Sequence, residues 1–97
     1  MKLLALGSDV PDTPDSAFTE KLLKDEAAAA WKLYQAGVIR EMYFRADRED
    51  GVLVLECGSR EEAEEALSSL PLVRQSLIRF EIIPLRAYPG FERLFAS

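Results

Sequence analysis

The fold is decided by residues 38–57, VIREMYFRADREDGVLVLEC. Residues 38–46 alternate between two sets of side chains, as a strand with two different faces does, and residues 52–57 begin with a compact apolar run. The turn between them is Asp47-Arg48-Glu49-Asp50-Gly51, whose Asp-Gly ending leads directly into the apolar run. The sequence therefore predicts an antiparallel β-hairpin, made of strands two and three, in the middle of the chain.

A helix is predicted on each side of this hairpin. The first spans residues 14–36, with Thr13 as its N-cap, and Gly37 ends it. The second opens with a capping box over residues 59–62 and is stopped by Pro71. Both helices carry apolar residues at helical spacing, so each covers one face of a sheet.

The first and last strands of the chain are predicted over residues 1–7 and 78–85. The element order is then βαββαβ, which predicts a ferredoxin-like α+β fold with a four-stranded antiparallel sheet and two helices on one face. A chain of 97 residues supports one hydrophobic core, so residues 1–97 are expected to form a single domain. Residues 86–97, with three aromatic side chains, are interpreted as a C-terminal arm that packs on a neighbour or over a pocket.

Two apolar surfaces are left uncovered in this arrangement. Strand three is apolar on both faces over residues 52–55, although helices cover one face of the sheet alone. Two bare sheet faces pressed together would make a homodimeric α+β barrel. The first helix also has a second apolar stripe, which allows a larger assembly; its members are Leu23, Ala27, Ala30, Trp31 and Tyr34.

Composition excludes several classes of function. The net charge of −5 argues against nucleic acid and anionic membranes as partners. The chain has no histidine and a single cysteine, Cys57, so neither a zinc site nor a Ser-His-Asp triad is expected. Cys57 precedes the second helix and is interpreted as an inert, buried thiol. No targeting segment or membrane span is recognised, and a cytoplasmic location is expected.

Two groups of polar residues are candidates for a site. Asp25 and Glu26 border the inward stripe of the first helix, where burial would raise a carboxyl pKa; alternatively they pair with a nearby lysine or arginine at the solvated edge. By alternation, Glu41, Tyr43 and Arg45 share one face of strand two with Ile39, and there arginine can hold a carboxylate ligand. The alternative is a cross-strand ion network with Glu56 on the neighbouring strand, which would seal the face of a dimer.

From Lys24 onward, the chain resembles the muconolactone isomerase family of dimeric α+β barrels. The resemblance covers about three quarters of the chain, and its most specific part is the paired spacing of Leu-Pro-Leu and Pro-Leu around strand four. The matching pieces are Asp25-Glu26 to Gly37, Tyr43-Phe44-Arg45, Leu70-Pro71-Leu72, Pro84-Leu85 and Pro89.

This resemblance implies a cofactor-free proton shift that moves a double bond in a small unsaturated lactone or acid, with no metal. Carried over by position, Glu26 is the catalytic base with Asp25 beside it, and Arg45 holds the substrate anion. Glu41 and Tyr88 stand where the family carries histidines. The implied catalytic residues are Glu26, Glu41 and Tyr43, and the implied substrate-binding residues are Asp25, Arg45 and Tyr88.

Two other functions fit the same scaffold. The first is a cofactor-free oxygenase or cyclase acting on polyketide-like aromatics. The second is a non-catalytic module that binds a ligand or serves assembly, because one fold hosts many functions. An apolar pocket beside a carboxyl of raised pKa favours the enzyme, and a pocket beside Glu26 that is closed, water-filled or absent favours the module.

Overall fold

A computed structural model describes residues 1–96. Four strands and three helices follow one another, with a short 3₁₀ turn before the first helix and another in the arm. The strands are β1 (Lys2–Asp9), β2 (Ile39–Phe44), β3 (Gly51–Glu56) and β4 (Ile78–Pro84), and the helices are α1 (Glu20–Gln35), α2 (Arg60–Ser68) and α3 (Pro71–Arg74). The 3₁₀ turns span Asp15–Ala17 and Gly90–Leu94.

The sheet has the order β2-β3-β1-β4, and every neighbouring pair is antiparallel. The predicted hairpin is confirmed: Phe44 lies opposite Gly51, and the Arg45 N–H donates to the Asp50 carbonyl at 2.9 Å. With two main helices on one face, the sheet confirms the predicted α+β fold. The two edge strands are β2 and β4, which lie at opposite sides of the molecule.

The core lies between the sheet and the helices. Leu3 and Leu55 are fully buried in the central strands, and Leu70 closes the core from the helical side. Burial of one such leucine contributes about 1.5–3 kcal/mol to folding. The remaining members of this core are Ala5, Ala30, Ile39, Leu53, Ala63, Leu67 and Ile82.

The start of α1 differs from the prediction. Its N-cap is Thr19, whose Oγ1 accepts a hydrogen bond from the Leu22 N–H at 3.2 Å, rather than Thr13. Thr13 instead donates through Oγ1 to the Val10 carbonyl at 2.7 Å, within the turn that follows β1. The end of the helix is as predicted, because Gly37 adopts a φ of +80° that suits glycine.

The second helix is capped as predicted, but it stops earlier. The Glu62 N–H donates to Ser59 Oγ at 3.1 Å, and a Glu62 carboxylate oxygen accepts from the Gly58 N–H at 2.7 Å. However, α2 ends at Ser68, and Pro71 does not terminate it; Pro71 is the first residue of α3. Proline is favoured at this position because its missing N–H would have no partner there.

A register shift near Arg40 changes the faces of β2. Ile39 lies opposite Leu55, whereas Glu41 lies opposite Val54, so one extra residue is accommodated between them. Ile39 therefore faces the helices and is buried. The prediction that Ile39 shares a face with Glu41 and Tyr43 was wrong, because a bulge inverts the alternation of side chains that precede it.

The other face of the sheet, here called the open face, has no helix over it within residues 1–96. Its alternation is set by strand pairing: Leu4 pairs with Val54 and with Ile83, and all three point away from the buried leucines of the core. Leu6 and Val52 extend the same apolar surface. The dimeric barrel predicted from this face remains a proposal.

The helices present one further departure. Ala30, which was predicted in the outer stripe of α1, is buried against the sheet. Leu23, Trp31 and Tyr34 are exposed as predicted. None of the helices described in residues 1–96 combines the length and apolar character that spanning a membrane requires.

The C-terminal arm projects from the body. The molecule measures 61 × 29 × 20 Å, and its radius of gyration of 15.9 Å exceeds the roughly 13 Å of a compact chain of this length. The arm follows β4 and contains the 3₁₀ turn Gly90–Leu94. Its last residue, position 97, lies outside the described residues.

Candidate active site between two helices

A groove of about 740 Å³ runs between α1 and α3. Its α1 wall combines apolar and small residues with Asp25 and Lys32, and its α3 wall begins at Pro71. Polar groups stand among the apolar ones, which is the usual composition of a small-molecule site. The lining residues are Leu22, Asp25, Ala28, Ala29, Lys32, Leu33, Ser69, Pro71, Arg74 and Gln75.

Glu26 connects the two walls of this groove. Its Oε1 accepts a hydrogen bond from the Leu72 N–H at 3.0 Å, across 46 residues of sequence. The reason lies in the start of α3: Leu70 offers no side-chain cap, and Pro71 has no N–H, so the Leu72 N–H lacks a local acceptor. The carboxylate of Glu26 supplies that acceptor from the neighbouring helix.

The environment of Glu26 raises its pKa. Burial against α3 disfavours the charged carboxylate, and this effect outweighs the hydrogen bond from Leu72, which acts in the opposite direction. The side chain is half-buried rather than sealed. A carboxylate with a raised pKa is a stronger base than an ordinary one, as an acid–base catalyst near neutral pH requires.

Asp25 lies beside Glu26 but at the rim of the groove. One of its carboxylate oxygens accepts from Lys21 Nζ at 3.0 Å, one helical turn earlier, and both side chains are exposed. This matches the alternative in which a helix-edge acid pairs with a lysine. Asp25 therefore contributes charge to the groove, whereas Glu26 links the two helices that form its walls.

Two cations of the groove were missed by the sequence interpretation. Lys32 comes from α1 and Arg74 from α3, and both line the groove that Glu26 ties together. Lys32 follows Asp25 by seven residues, a spacing that returns to the same helix face. This spacing could have indicated that Lys32 belongs to the groove. No local sequence pattern indicates that Arg74 lies on the facing wall.

Glu41 and Tyr43 form a second polar pair on the open face. The Tyr43 hydroxyl donates to Glu41 Oε1 at 2.7 Å, and this hydrogen bond raises the pKa of Tyr43. Both side chains are exposed. Glu41 does not join the ion network expected with Glu56, because Glu56 pairs with the amino group of Met1 at 2.9 Å.

Arg45 is already occupied by a carboxylate of its own chain. Its Nε and one terminal nitrogen donate to the two oxygens of Asp47 at 2.9 and 2.7 Å, in the bidentate arrangement that arginine favours. This contact raises the pKa of Arg45 and lowers the pKa of Asp47. Arg45 would have to leave Asp47 before it could hold a substrate anion.

The six residues predicted for the site therefore fall into separate places. Asp25 lines the groove, and Glu26 links the two helices that form its walls, on the helical side of the sheet. Glu41 and Tyr43 lie together on the open face, and Arg45 is in the turn after β2. Tyr88 is on the projecting arm, edge-on to Phe91 with ring centroids 5.0 Å apart.

Neither a metal site nor a reactive thiol stands out. Among residues 1–96, no three side chains of the types that ligate metals come together. Cys57 is partly buried, and burial together with the nearby Glu62 carboxylate raises the pKa of its thiol. A raised pKa leaves the thiol protonated and unreactive at neutral pH.

The sheet order and the covering helices define a ferredoxin-like α+β protein with a polar groove in its helical layer. The model of the muconolactone delta-isomerase family matches residues 3–90. The chain thus belongs to the muconolactone delta-isomerase family. No curated protein sequence matches the chain significantly.

Two solved structures share the fold. A muconolactone isomerase structure superimposes with a TM-score of 0.72 at 24% sequence identity, with 93% of each chain covered. A 5-chloro-2-hydroxyhydroquinone dehydrochlorinase (TftG) from Burkholderia phenoliruptrix AC1100, in complex with 2,5-dihydroxybenzoquinone, superimposes with a TM-score of 0.63 at 16% identity, covering 93% of this chain and 98% of the other. The fold is therefore shared by proteins named for different reactions.

Proposed function

We propose that this protein is a cofactor-free isomerase that shifts a proton within a small unsaturated lactone or acid, using Glu26 as the base. One observation carries the proposal: a half-buried carboxyl of raised pKa joins α1 to α3, the two helices that form the walls of the groove. The family to which the chain belongs supports the same class of reaction.

The chemistry needs one base that also returns the proton. Glu26 removes a proton from the γ carbon of the α,β-unsaturated lactone, and the electron pair spreads through the double bond to the carbonyl oxygen. The protonated Glu26 then gives the proton to a different carbon, so the double bond moves and no atom is gained or lost. The raised pKa of Glu26 suits both steps, because the group must both accept and release the proton.

The substrate anion is held by the cations of the groove. Lys32 and Arg74 project from its two walls and can approach a carboxylate from two sides. Arg45 is less suitable, because Asp47 already accepts its hydrogen bonds. The dihydroxybenzoquinone in the TftG complex supports a small oxygenated ring as the kind of ligand that this fold holds.

The open face supports self-association. It presents the apolar side chains of Leu4, Val54 and Ile83, which two copies would bury by packing face to face. Such a homodimer would also enclose the Glu41–Tyr43 pair. This pair is the competing location for the base, and it lies on the opposite side of the sheet from Glu26.

Turnover of muconolactone, followed by the ultraviolet absorbance of its unsaturated lactone, tests the proposal. Glu26→Gln keeps an oxygen that can accept from the Leu72 N–H but loses the base, so turnover is expected to fall at least about 100-fold. Glu41→Gln and Asp25→Asn are the matched controls and are expected to retain most activity. A Glu26→Gln variant with wild-type turnover, or a wild type without turnover, would refute the assignment.

A further inference from the structure

The groove between α1 and α3 carries more positive charge than a single bound carboxylate balances. Lys32 lies on the α1 wall and Arg74 on the α3 wall. Among residues 1–96, Asp25 is the one acidic residue that lines the groove, and its carboxylate already accepts a hydrogen bond from Lys21 Nζ at 3.0 Å. In the same part of the chain, neither Lys32 nor Arg74 forms an ion pair. Two positive charges are therefore available to a ligand.

This local charge is opposite in sign to the charge of the whole chain. The net charge of −5 gives the protein an acidic surface, which repels small anions. Other arginines are neutralised by carboxylates of their own chain, as Arg45 is by Asp47 and Arg60 is by Glu64. The groove is thus a place where an otherwise acidic protein attracts an anion.

The two cations start from different levels of the groove. Lys32 follows Glu26 by six residues, so its Cα lies about 9 Å further along the axis of α1. Arg74 follows Leu72 by two residues, and the Leu72 N–H contacts Glu26 at 3.0 Å. An arginine fork can satisfy both oxygens of one carboxylate by itself. Lys32 then remains free to bind a second anionic group further along the groove.

The groove is also larger than a lactone ring with one carboxylate requires. Its volume of about 740 Å³ lies in the upper half of the range of about 300–1,000 Å³ that is typical of clefts for drug-sized ligands. Ala28 and Ala29 keep the space between the two walls open, because their side chains end at Cβ. The groove therefore has room for a second acidic substituent as well as the charge to bind it.

We infer that the ligand of this groove is a dianion, namely a small unsaturated lactone or acid that carries two carboxylates, which Arg74 and Lys32 bind together. Two carboxylates neutralise both cations, whereas a monocarboxylate leaves one positive charge without a counterion. The inference rests on the proposed function in one respect, because it names this dianion as the substrate. The preference for a dianion follows from the charge and the size of the groove, so binding can be measured without turnover.

Isothermal titration calorimetry with adipate and hexanoate tests the charge requirement. These two probes have the same six-carbon chain and differ by one carboxylate. At constant ionic strength, which fixes the screening of charges, the wild type is expected to bind adipate at least about tenfold more tightly than hexanoate. Equal dissociation constants for the two probes, or a failure of adipate to bind, would overturn the inference.

Charge variants test whether the groove provides this preference. Arg74→Gln and Lys32→Gln each leave one cation, so each is expected to reduce the preference for adipate to less than about threefold. Lys24→Gln is the matched control, because Lys24 is an exposed cation of the same helix that does not line the groove. This control should keep the wild-type preference. A loss as large in Lys24→Gln would show that net charge governs binding, and the inference would be wrong.

A pair of uncharged variants tests the location of the bound dianion. Ala28 lines the groove and Ala27 does not, although both side chains are exposed on α1. Ala28→Phe fills the groove without changing its charge and is expected to weaken adipate binding at least about tenfold, since an aromatic ring occupies the space of the ligand. Ala27→Phe should bind adipate like the wild type. Equal binding by the two variants would place the dianion outside the groove.

Turnover distinguishes a failure of this inference from a failure of the proposed function. If adipate is preferred as expected but Glu26→Gln keeps wild-type turnover of muconolactone, the proposed base is wrong and the dianion site stands. If Glu26→Gln loses turnover but adipate binds no better than hexanoate, the base stands and the dianion inference is wrong. Adipate should also raise KM for muconolactone without lowering kcat, and inhibition that lowers kcat alone would contradict a shared site.

Discussion

Glu26 Oε1 accepts a hydrogen bond from the Leu72 N–H at 3.0 Å, and this contact joins the two helices that form the groove. The same carboxyl therefore has a structural task, since it caps α3, and a proposed chemical task, since it is the base. The two tasks can be separated, because the cap needs an acceptor oxygen and the base needs a titratable one.

Truncation of Glu26 is expected to destabilise the protein more than its amide replacement does. Glu26→Ala leaves the partly buried Leu72 N–H without an acceptor, which costs about 1–3 kcal/mol of unfolding free energy. Glu26→Gln retains an acceptor and should lose less. Urea denaturation at pH 7 measures the difference, and equal stabilities of the two variants would show that the cap contributes nothing.

The pH dependence of stability should reveal the raised pKa of Glu26. Because the folded state binds the proton more tightly than the unfolded state, the contribution of Glu26 to stability falls as pH rises from its ordinary value of 4.5 through its raised pKa. Glu26→Gln lacks this titration. The stability of the variant relative to the wild type should therefore increase with pH over this range.

Denaturant midpoints of both proteins between pH 4 and pH 8 provide the comparison. Asp47 and Glu56, whose pKa values are lowered, titrate in the opposite sense but are present in both proteins and cancel on subtraction. A difference that is independent of pH would contradict the raised pKa of Glu26.

The cations of the groove should govern substrate affinity. Arg74→Gln and Lys32→Gln each remove a charged donor from the groove, and loss of one charge-assisted hydrogen bond costs about 1.5–3 kcal/mol. We expect KM for a carboxylate-bearing lactone to rise about tenfold or more, with a smaller change in kcat. Arg45→Gln is the control, since Asp47 already occupies Arg45. If Arg45→Gln raised KM more than Arg74→Gln did, Arg45 rather than Arg74 would hold the substrate anion.

The N-cap of α2 offers a test of the fold alone. Ser59→Ala removes the oxygen that accepts from the Glu62 N–H and should lower the unfolding free energy by about 1 kcal/mol. Ser68→Ala at the other end of α2 is the matched control, because its hydroxyl bonds only to the Glu65 carbonyl in an exposed position. Urea denaturation of both variants checks this, and equal losses would exclude a capping contribution.

Local signals predicted the fold because turn and cap residues mark where the helices and strands begin or end. The hairpin follows from Asp50–Gly51, the end of α1 from Gly37, and the cap of α2 from the spacing of Ser59 and Glu62. The errors arose where a second local signal competed. Thr13 resembles an N-cap as well as Thr19 does, and the shift beside Arg40 leaves no mark in the sequence.

The site was harder to predict, because it depends on contacts between distant segments. The helix pattern left open whether Glu26 has a raised pKa or pairs with a cation at a solvated edge, and its partner Leu72 lies 46 residues away. Arg74 joins the groove through the packing of α3 on α1, which no periodicity encodes. Arg45 was expected to bind a ligand, yet the carboxylate of Asp47, two residues later, already accepts its hydrogen bonds.

The most direct test is proton exchange into muconolactone dissolved in D₂O, followed by ¹H NMR with wild-type protein and with Glu26→Gln. We predict that the wild type moves the double bond and that any deuterium taken up through Glu26 enters at the carbon next to the lactone carbonyl, whereas Glu26→Gln moves the double bond at least about 100-fold more slowly. Movement of the double bond by Glu26→Gln at the wild-type rate would contradict the central claim, as would a wild type that leaves the double bond in place.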